Sequence, residues 1–366
     1  MKTKAAVAFE PAQPLEIVEL DLREPNPDEV LIRLHATGVC HSDLAALDGD
    51  NRLGSFPIVL GHEGAGIVET VGSAVVSLAP GDHVVLAPAP QCGRCTECLS
   101  GRSNLCLDMY KGFTGAGSPF SHGGSPVGRF MHAGAFTQHT VVLESTVAKV
   151  REDAPLDRAC LAACSVATGV GAAIAAAGVK PGSTVAVFGM GGIGLNAVQG
   201  ARLAGAIRII AVDTNSAKGA VAYRFGATEF INPRGLDGDI STHIQGSTGG
   251  GTDVAIEAVG HPELVRQALR SVRFGSGRCV VVGMLRDDAT LSLSPEDLGI
   301  GRSLRTSAGG DLRGRHDTAR LVDWYMQAKL DFDGLVNDTY PLEQINEALS
   351  ALRAGKVVRN IIDLRR

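Results

Sequence analysis

The sequence predicts an α/β protein of two domains, one β-rich and one built on a doubly wound parallel sheet. Three observations carry that reading. The 366 residues exceed what a single hydrophobic core usually organises. Up to about residue 150 the chain mixes β-branched residues with turn glycines, the pattern of short strands. After about residue 165, strand-like and helix-like stretches alternate, the pattern of a parallel sheet covered by helices.

The elements follow in order. EVLIRLHATGVC (Glu29–Cys40) and GAGIVETVGSAV (Gly64–Val75) read as strands, and GDHVVLAP (Gly81–Pro88) as a short apolar strand between turn signals. In the second half STVAVFG (Ser183–Gly189) is strand-like, GIGLNAVQGARLAG (Gly192–Gly205) helical and AIRIIAVD (Ala206–Asp213) strand-like again. NSAKGAVAYRFG (Asn215–Gly226) is helical, and GTDVAIEAVG and GRCVVVGM are further strands. Neither repeats nor a low-complexity linker interrupts the pattern.

Composition narrows the class. Hydrophobic residues at 45% and charged residues at 20% are ordinary for a globular protein. Forty-six glycines beside only 4% aromatics point to many tight turns and βα junctions. A net charge of −5 without a Lys/Arg block argues against a nucleic-acid partner. The longest apolar stretch, VATGVGAAIAAAGV (Val166–Val179), is too short and too rich in Gly and Ala to span a membrane. MKTKAAVAFEPAQP at the start lacks a sustained apolar core, so no signal peptide is expected. The expectation is a soluble cytoplasmic protein with reduced thiols.

Half of the eight cysteines fall in CGRCTECLSGRSNLC, spaced Cys92-x2-Cys95-x2-Cys98-x7-Cys106. A disulfide framework belongs to short secreted chains. A bacterial ferredoxin run would have x3 and then Pro at its last step, where this chain has x7 and Leu107. A thioredoxin-like pair would leave the surplus cysteines unexplained. Inert exposed thiols would only invite oxidation. Four thiolates on a tight loop suit a closed, tetrahedral, structural zinc site.

FGMGGIG places Gly189, Gly191 and Gly194 at the G-x-G-x-x-G positions, with Gly192 between, closing one expected strand and opening a helix. Gly189 permits the turn, Gly191 lets the backbone approach a pyrophosphate, and Gly194 allows close helix–strand packing. Asp213 ends the next strand, where a carboxylate hydrogen-bonds the adenosine ribose hydroxyls and repels a 2′-phosphate, so NAD is expected over NADP. Lys218 could reach the same ribose or be a solvated surface lysine. Three other places hold zinc-type ligands: TGVCHSD (Cys40 to Asp43), GHEGAG (His62, Glu63) and AACSVATG (Cys164). With a nicotinamide fold they suggest an open site of two cysteines and a histidine.

GVCHSDLAALDG, PIVLGHEGAGIVETVG, CGRCTECLSGRSNLC, AACSVATGVGAA, VFGMGGIG, AVDTNSAK, RFGATEFINP and GKVVRNIIDL together resemble the zinc-dependent medium-chain alcohol dehydrogenases, and most closely their two-zinc branch (class I and class III-like). The resemblance covers nearly the whole chain. It implies a Rossmann NAD-binding domain, residues 166–308, inserted into a β-rich GroES-like catalytic domain of residues 1–165 and 309–366, with the active site between them. It implies two zinc ions per chain: Cys40, His62 and Cys164 hold the catalytic one and the four loop cysteines the structural one. Asp43 matches the carboxylate that orients the ligand histidine, and Glu63 a residue that approaches the zinc during exchange of the bound water. Ser42 matches the hydroxyl that takes the proton of the alcohol. His41 and Arg359 match contacts to the cofactor pyrophosphate, and Thr168 and Ile193 residues that press on the nicotinamide.

The departures from the family bear on substrate. Ala45 stands where many relatives have a relay histidine, so the proton is expected to leave by water or another group. Leu53 and Tyr110 stand where class III members carry an acidic residue and an arginine, which points away from a glutathione adduct. Pro88, Phe130 and Met131 are the expected pocket residues. An apolar pocket suits a neutral primary alcohol, aliphatic or aromatic. The alternatives are oxidation of an S-(hydroxymethyl) thiol, the formaldehyde adduct, and a non-catalytic NAD-binding redox sensor. The family implies a homodimer or homotetramer acting on a small alcohol or aldehyde.

Overall fold

The computed structural model describes residues 1–50, 54–87, 89–109 and 117–365. The chain forms two compact units, Met1–Cys164 with Arg313–Arg366, and Ser165–Leu312.

In the first unit, strands Lys2–Ala8, Glu16–Leu22, Phe120–His122, Ser125–Arg129 and Ile58–Val59 close a barrel. Beside it lies a seven-stranded sheet in the order Val147–Lys149, His83–Leu86, Glu63–Val71, Glu29–Val39, Arg359–Asp363, Val336–Pro341, with His139–Leu143 also pairing Glu29–Val39. The long strand Glu29–Val39 is the hub. It is antiparallel to Glu63–Val71 with Gly38 opposite Glu63, and to the chain's last strand with Val39 opposite Asn360. Glu29–Val39 is buried along nearly its whole length, although its second half alternates apolar Ile32, Leu34 and Ala36 with Arg33, His35 and Thr37. Its core includes Val7, Leu20, Leu34, Phe120, Phe136, Ile345 and Leu349.

The second unit is a parallel six-stranded sheet in the order Glu229–Ile231, Arg208–Val212, Thr184–Phe188, Val254–Glu257, Arg278–Val281, Ser303–Thr306. Numbered along the chain this is 3-2-1-4-5-6, the order of a dinucleotide-binding Rossmann sheet. Phe188, Ile210, Val212, Ala255 and Leu269 form its core. The expected helix over Asn215–Gly226 is a 3-10 turn, Ser216–Lys218, followed by an α-helix, Gly219–Phe225. Asn215 causes the tightening: its side chain accepts from Ala217 N and begins the turn as a cap. The apolar run after Cys164 is an α-helix, Ser165–Gly171, continued by a π-turn, Ala172–Ala176. No single helix among the described residues is long and apolar enough to cross a membrane.

Candidate active site and metal centres

Strand Glu29–Val39 delivers Cys40 to the N-cap of helix His41–Leu47. Asp43, at the third helical position, reaches back and accepts from Cys40 N at 2.9 Å. The same buried carboxylate accepts from Gly61 N at 3.0 Å and from His62 Nδ1 at 3.0 Å. One side chain therefore joins two ligand-bearing segments and fixes the His62 ring with Nδ1 protonated. That leaves His62 Nε2 buried with no hydrogen-bond partner. The ligand atoms of Cys40, His62, Glu63 and Cys164 all lie within 4.8 Å of one another. A buried imidazole nitrogen facing two sulfurs and lacking any donor or acceptor of its own is what a zinc ligand set requires.

Electrostatics agree with a cation there. Burial opposes charge on His62, but Asp43 and Cys40 outweigh it and hold the imidazole pKa well above its ordinary value. The Cys164 thiol and, against burial, the Arg359 guanidinium hold Cys40 well below the usual thiol range. A metal ion would take the place of the proton that the site otherwise keeps. Burial raises Glu63 to about 7 although Arg359 stands beside it. Arg359 is itself buried, with Nη2 3.4 Å from Glu63 Oε1 and 3.5 Å from Cys40 Sγ. Ser42 Oγ lies 3.8 Å from Cys40 Sγ, on the partly exposed side of the helix start. His41 is the exposed first residue of that helix.

The loop cysteines form a separate cluster with all four sulfurs within 4.8 Å. Cys92 Sγ and Cys98 Sγ are 4.0 Å apart, too far for a disulfide. Tetrahedral zinc with bonds of about 2.3 Å sets its sulfurs about 3.8 Å apart. Backbone N–H groups point at the sulfurs: Cys92 N to Cys106 Sγ at 3.5 Å, Cys95 N to Cys92 Sγ at 3.4 Å and Cys98 N to Cys95 Sγ at 3.4 Å. Such bonds stabilise thiolates. The N–H groups of Leu107 and Cys98 draw Cys95 down to about 6, while burial pushes Cys98 up to about 12. A bound dication would hold all four deprotonated.

In the second unit Gly189 (φ 92°) makes the turn, and a Cβ on Gly194 would stand 1.7 Å from Gly189 O. A Cβ on Gly191 would meet nothing within 4 Å. That open cradle precedes helix Gly192–Leu203, whose N-terminus has no side-chain cap, as a pyrophosphate site needs. Asp213 Oδ2 accepts from Met190 N at 2.8 Å and from Lys218 Nζ at 3.1 Å. Lys218 is thus placed at the expected ribose carboxylate rather than in free solvent. Thr168 and Ile193 sit on two helices of this unit in close contact, a Cβ on Gly169 falling 2.3 Å from Ile193 O.

Of the expected pocket residues, Phe130 is fully buried and meets the His62 ring edge to face, 5.5 Å between centroids at 77°; Met131 follows it, partly exposed. Pro88, Leu53 and Tyr110 lie outside the described residues. Two site residues, Gly38 and Gly61, and one pairing, Glu63 with Arg359, have no counterpart in the sequence expectations. Gly38 leaves room for Glu63, since a Cβ there would stand 2.1 Å from Glu63 Oε2. A glycine inside a strand was its signal. Gly61, with φ 86°, donates to Asp43. The Glu63–Arg359 pair joins positions far apart in sequence and had no local signal.

Comparison with known proteins adds two family matches, the alcohol dehydrogenase GroES-like domain over residues 26–152 and the zinc-binding dehydrogenase domain over residues 192–327. The chain belongs to the zinc-dependent medium-chain alcohol dehydrogenase family. It is 42% identical to an alcohol dehydrogenase class-3 of Cereibacter sphaeroides, covering 99% of this chain and all of that one. It is 43% identical to an S-(hydroxymethyl)glutathione dehydrogenase of Escherichia coli with the same coverage. Among solved structures, a zinc-binding-domain alcohol dehydrogenase protein from Burkholderia ambifaria superposes with TM-score 0.94 at 36% identity over the whole of both chains. Benzyl alcohol dehydrogenase from Acinetobacter calcoaceticus superposes with TM-score 0.92 at 34% identity over 99% of each. This dehydrogenase is an NAD-dependent enzyme with two zinc sites, the four-cysteine cluster and the Cys40–His62–Cys164 cluster. An enzyme family sets aside the non-catalytic sensor.

Proposed function

We propose that this dehydrogenase oxidises an S-(hydroxymethyl) thiol, the adduct of formaldehyde with a thiol such as glutathione, and reduces NAD. The observation that carries this choice is the 41–43% identity, along 99% of the chain, to S-(hydroxymethyl)glutathione and class-3 dehydrogenases. It reverses the order of the two alcohol readings drawn from the sequence. The second reading, a neutral primary alcohol, keeps one specific support, the likeness to benzyl alcohol dehydrogenase, together with the buried Phe130 beside His62.

When bound, zinc supplies Lewis acidity that acidifies a substrate hydroxyl, and NAD supplies a hydride acceptor. The rest is assigned to side chains of this chain. Cys40, His62 and Cys164 would hold the open zinc and the four loop cysteines the closed one. Asp43 keeps the proton on His62 Nδ1 and so keeps Nε2 aimed at the metal. Ser42 Oγ accepts the hydroxyl proton and passes it on to water, because Ala45 offers no relay. Arg359, itself buried, balances the charge of Glu63 and Cys40. Gly191 to Gly194 would admit the pyrophosphate, and Thr168 and Ile193 would press on the nicotinamide. Asp213 accepts from the ribose hydroxyls, with Lys218 alongside. A substrate panel of formaldehyde–glutathione adduct, benzyl alcohol and short aliphatic alcohols, read by NADH absorbance, tests the choice. A kcat/KM for the adduct well above those for the simple alcohols supports the proposal. Turnover of benzyl alcohol with none of the adduct overturns it in favour of the second reading.

A further inference from the structure

The turn Phe130–His132 is held in a conformation that L residues avoid. Met131 (φ 47°, ψ 44°) and His132 (φ 58°) are consecutive non-glycine residues in the left-handed region. Such a turn persists only where its surroundings over-determine it. Before it, the buried Arg129 donates to Val141 O. After it, Thr140 Oγ1 donates to Ala133 O at 2.8 Å, and Ala135 N donates to Gly61 O at 2.8 Å, one residue short of His62. Within it, His132 Nε2 lies 2.7 Å from Met109 O. A carbonyl only accepts, so Nε2 carries the proton and donates. Met109 N in turn donates to Cys106 O at 3.0 Å, and Cys106 is the last member of the four-cysteine cluster. At its other end the turn sets the Phe130 ring against the His62 ring, edge to face. A continuous set of contacts thus runs from Cys106 through Met109, His132 and Phe130 to His62.

We infer that His132 is a positioning residue: its hydrogen bond to Met109 ties the four-cysteine lobe to the turn that packs Phe130 on His62 and presents the partly exposed Met131, and so holds the open metal site and its surroundings in shape. This gives the closed cluster a bearing on substrate selection without any part in the chemistry. The inference rests on both clusters being zinc sites, not on which alcohol is the substrate.

Three variants separate the bond from the backbone. His132→Ala removes the bond. His132→Gln keeps an N–H donor on the same strained backbone. His132→Gly relieves the left-handed conformation but removes the bond. Two readouts are used: the d–d absorption bands of the protein with cobalt in the open site, which report ligand geometry without turnover, and KM and kcat for a small and a bulky alcohol. The thermal midpoint and metal content of each variant identify any that fail to fold. In His132→Ala and His132→Gly the cobalt bands shift. KM for the bulky alcohol rises about fivefold relative to the small one, as one lost buried hydrogen bond would give, and His132→Gln returns it to within about twofold. Unchanged bands and an unchanged KM ratio in a folded His132→Ala would overturn the inference. So would His132→Gln as impaired as His132→Ala, or wild-type behaviour in His132→Gly. Should His132→Ala not fold, the comparison of His132→Gln with His132→Gly decides. Wild-type protein that turns over no alcohol would remove the proposed function yet leave the cobalt bands as a complete test of His132.

Discussion

Asp43→Asn isolates the part played by the carboxylate behind the open zinc site. Asp43 is fully buried and accepts three N–H bonds, from Cys40 N at 2.9 Å, Gly61 N at 3.0 Å and His62 Nδ1 at 3.0 Å. Asparagine has the same shape but one acceptor oxygen. With that oxygen turned to Gly61 and His62, its NH2 group meets the Cys40 N–H. One buried donor loses its acceptor, at a cost of about 1–3 kcal/mol. His62 also loses the negative charge that outweighs burial in raising its pKa, so the ring binds a cation less well. Removing such a partner weakens metal affinity by about 10–100-fold, or about 1.4–2.8 kcal/mol. The assay is competition for zinc against a chromophoric chelator. The four-cysteine site serves as internal control, because Asp43 is not among its members. The expected result is one weakened zinc and one unchanged. Wild-type affinity at both sites would refute the role given to Asp43, and equal weakening at both would show a general loss of structure.

Other expectations follow from single contacts. Gly38→Ala forces Glu63 aside, because the new Cβ would stand 2.1 Å from Glu63 Oε2; overpacking of this kind costs about 1–3 kcal/mol and is read as a lowered thermal midpoint with lost turnover. In metal-free protein Glu63 has a folded pKa of about 7 against an ordinary value of 4.5. The folded state then binds more protons than the unfolded one between those values, so stability falls as pH rises through that window, by up to about 3 kcal/mol. Glu63→Gln should flatten the difference, measured by denaturant melts at several pH values. Asp213→Ser removes the acceptor for Met190 N and Lys218 Nζ. It should weaken NAD binding by calorimetry by about tenfold and raise kcat/KM with NADP. Cys98→Ser should lower stability and release zinc from the four-cysteine cluster while Cys40, His62 and Cys164 keep theirs.

Much of this molecule is legible in the sequence where residue type and spacing act locally. Cys92, Cys95, Cys98 and Cys106 lie on one loop, so their spacing alone indicates a closed thiolate site. FGMGGIG lies at the end of one strand and the start of one helix, and the backbone demands on Gly189 and Gly194 are local. Contacts across the chain are harder to read. The Glu63–Arg359 pair exists because strands Glu63–Val71 and Arg359–Asp363 flank Glu29–Val39 on opposite sides, a pairing that depends on sheet order. The contact of Phe130 with His62 depends on a turn with two left-handed non-glycine residues, which propensity argues against. The helical pattern over Asn215–Gly226 hides the 3-10 turn that Asn215 caps, so helix Gly219–Phe225 is shorter than the pattern. Substrate is the least legible feature, because it depends on how residues far apart in sequence line one pocket.

Chemistry at Cys40, His62 and Cys164, with no open position in the four-cysteine cluster, makes a sharp demand on Cys40→Ser, with zinc per chain and NADH formation measured on the same folded sample. The expected result is about one zinc retained per chain, held by the closed cluster, and no NADH formation from any alcohol in the panel. Wild-type turnover in that variant would place the chemistry elsewhere.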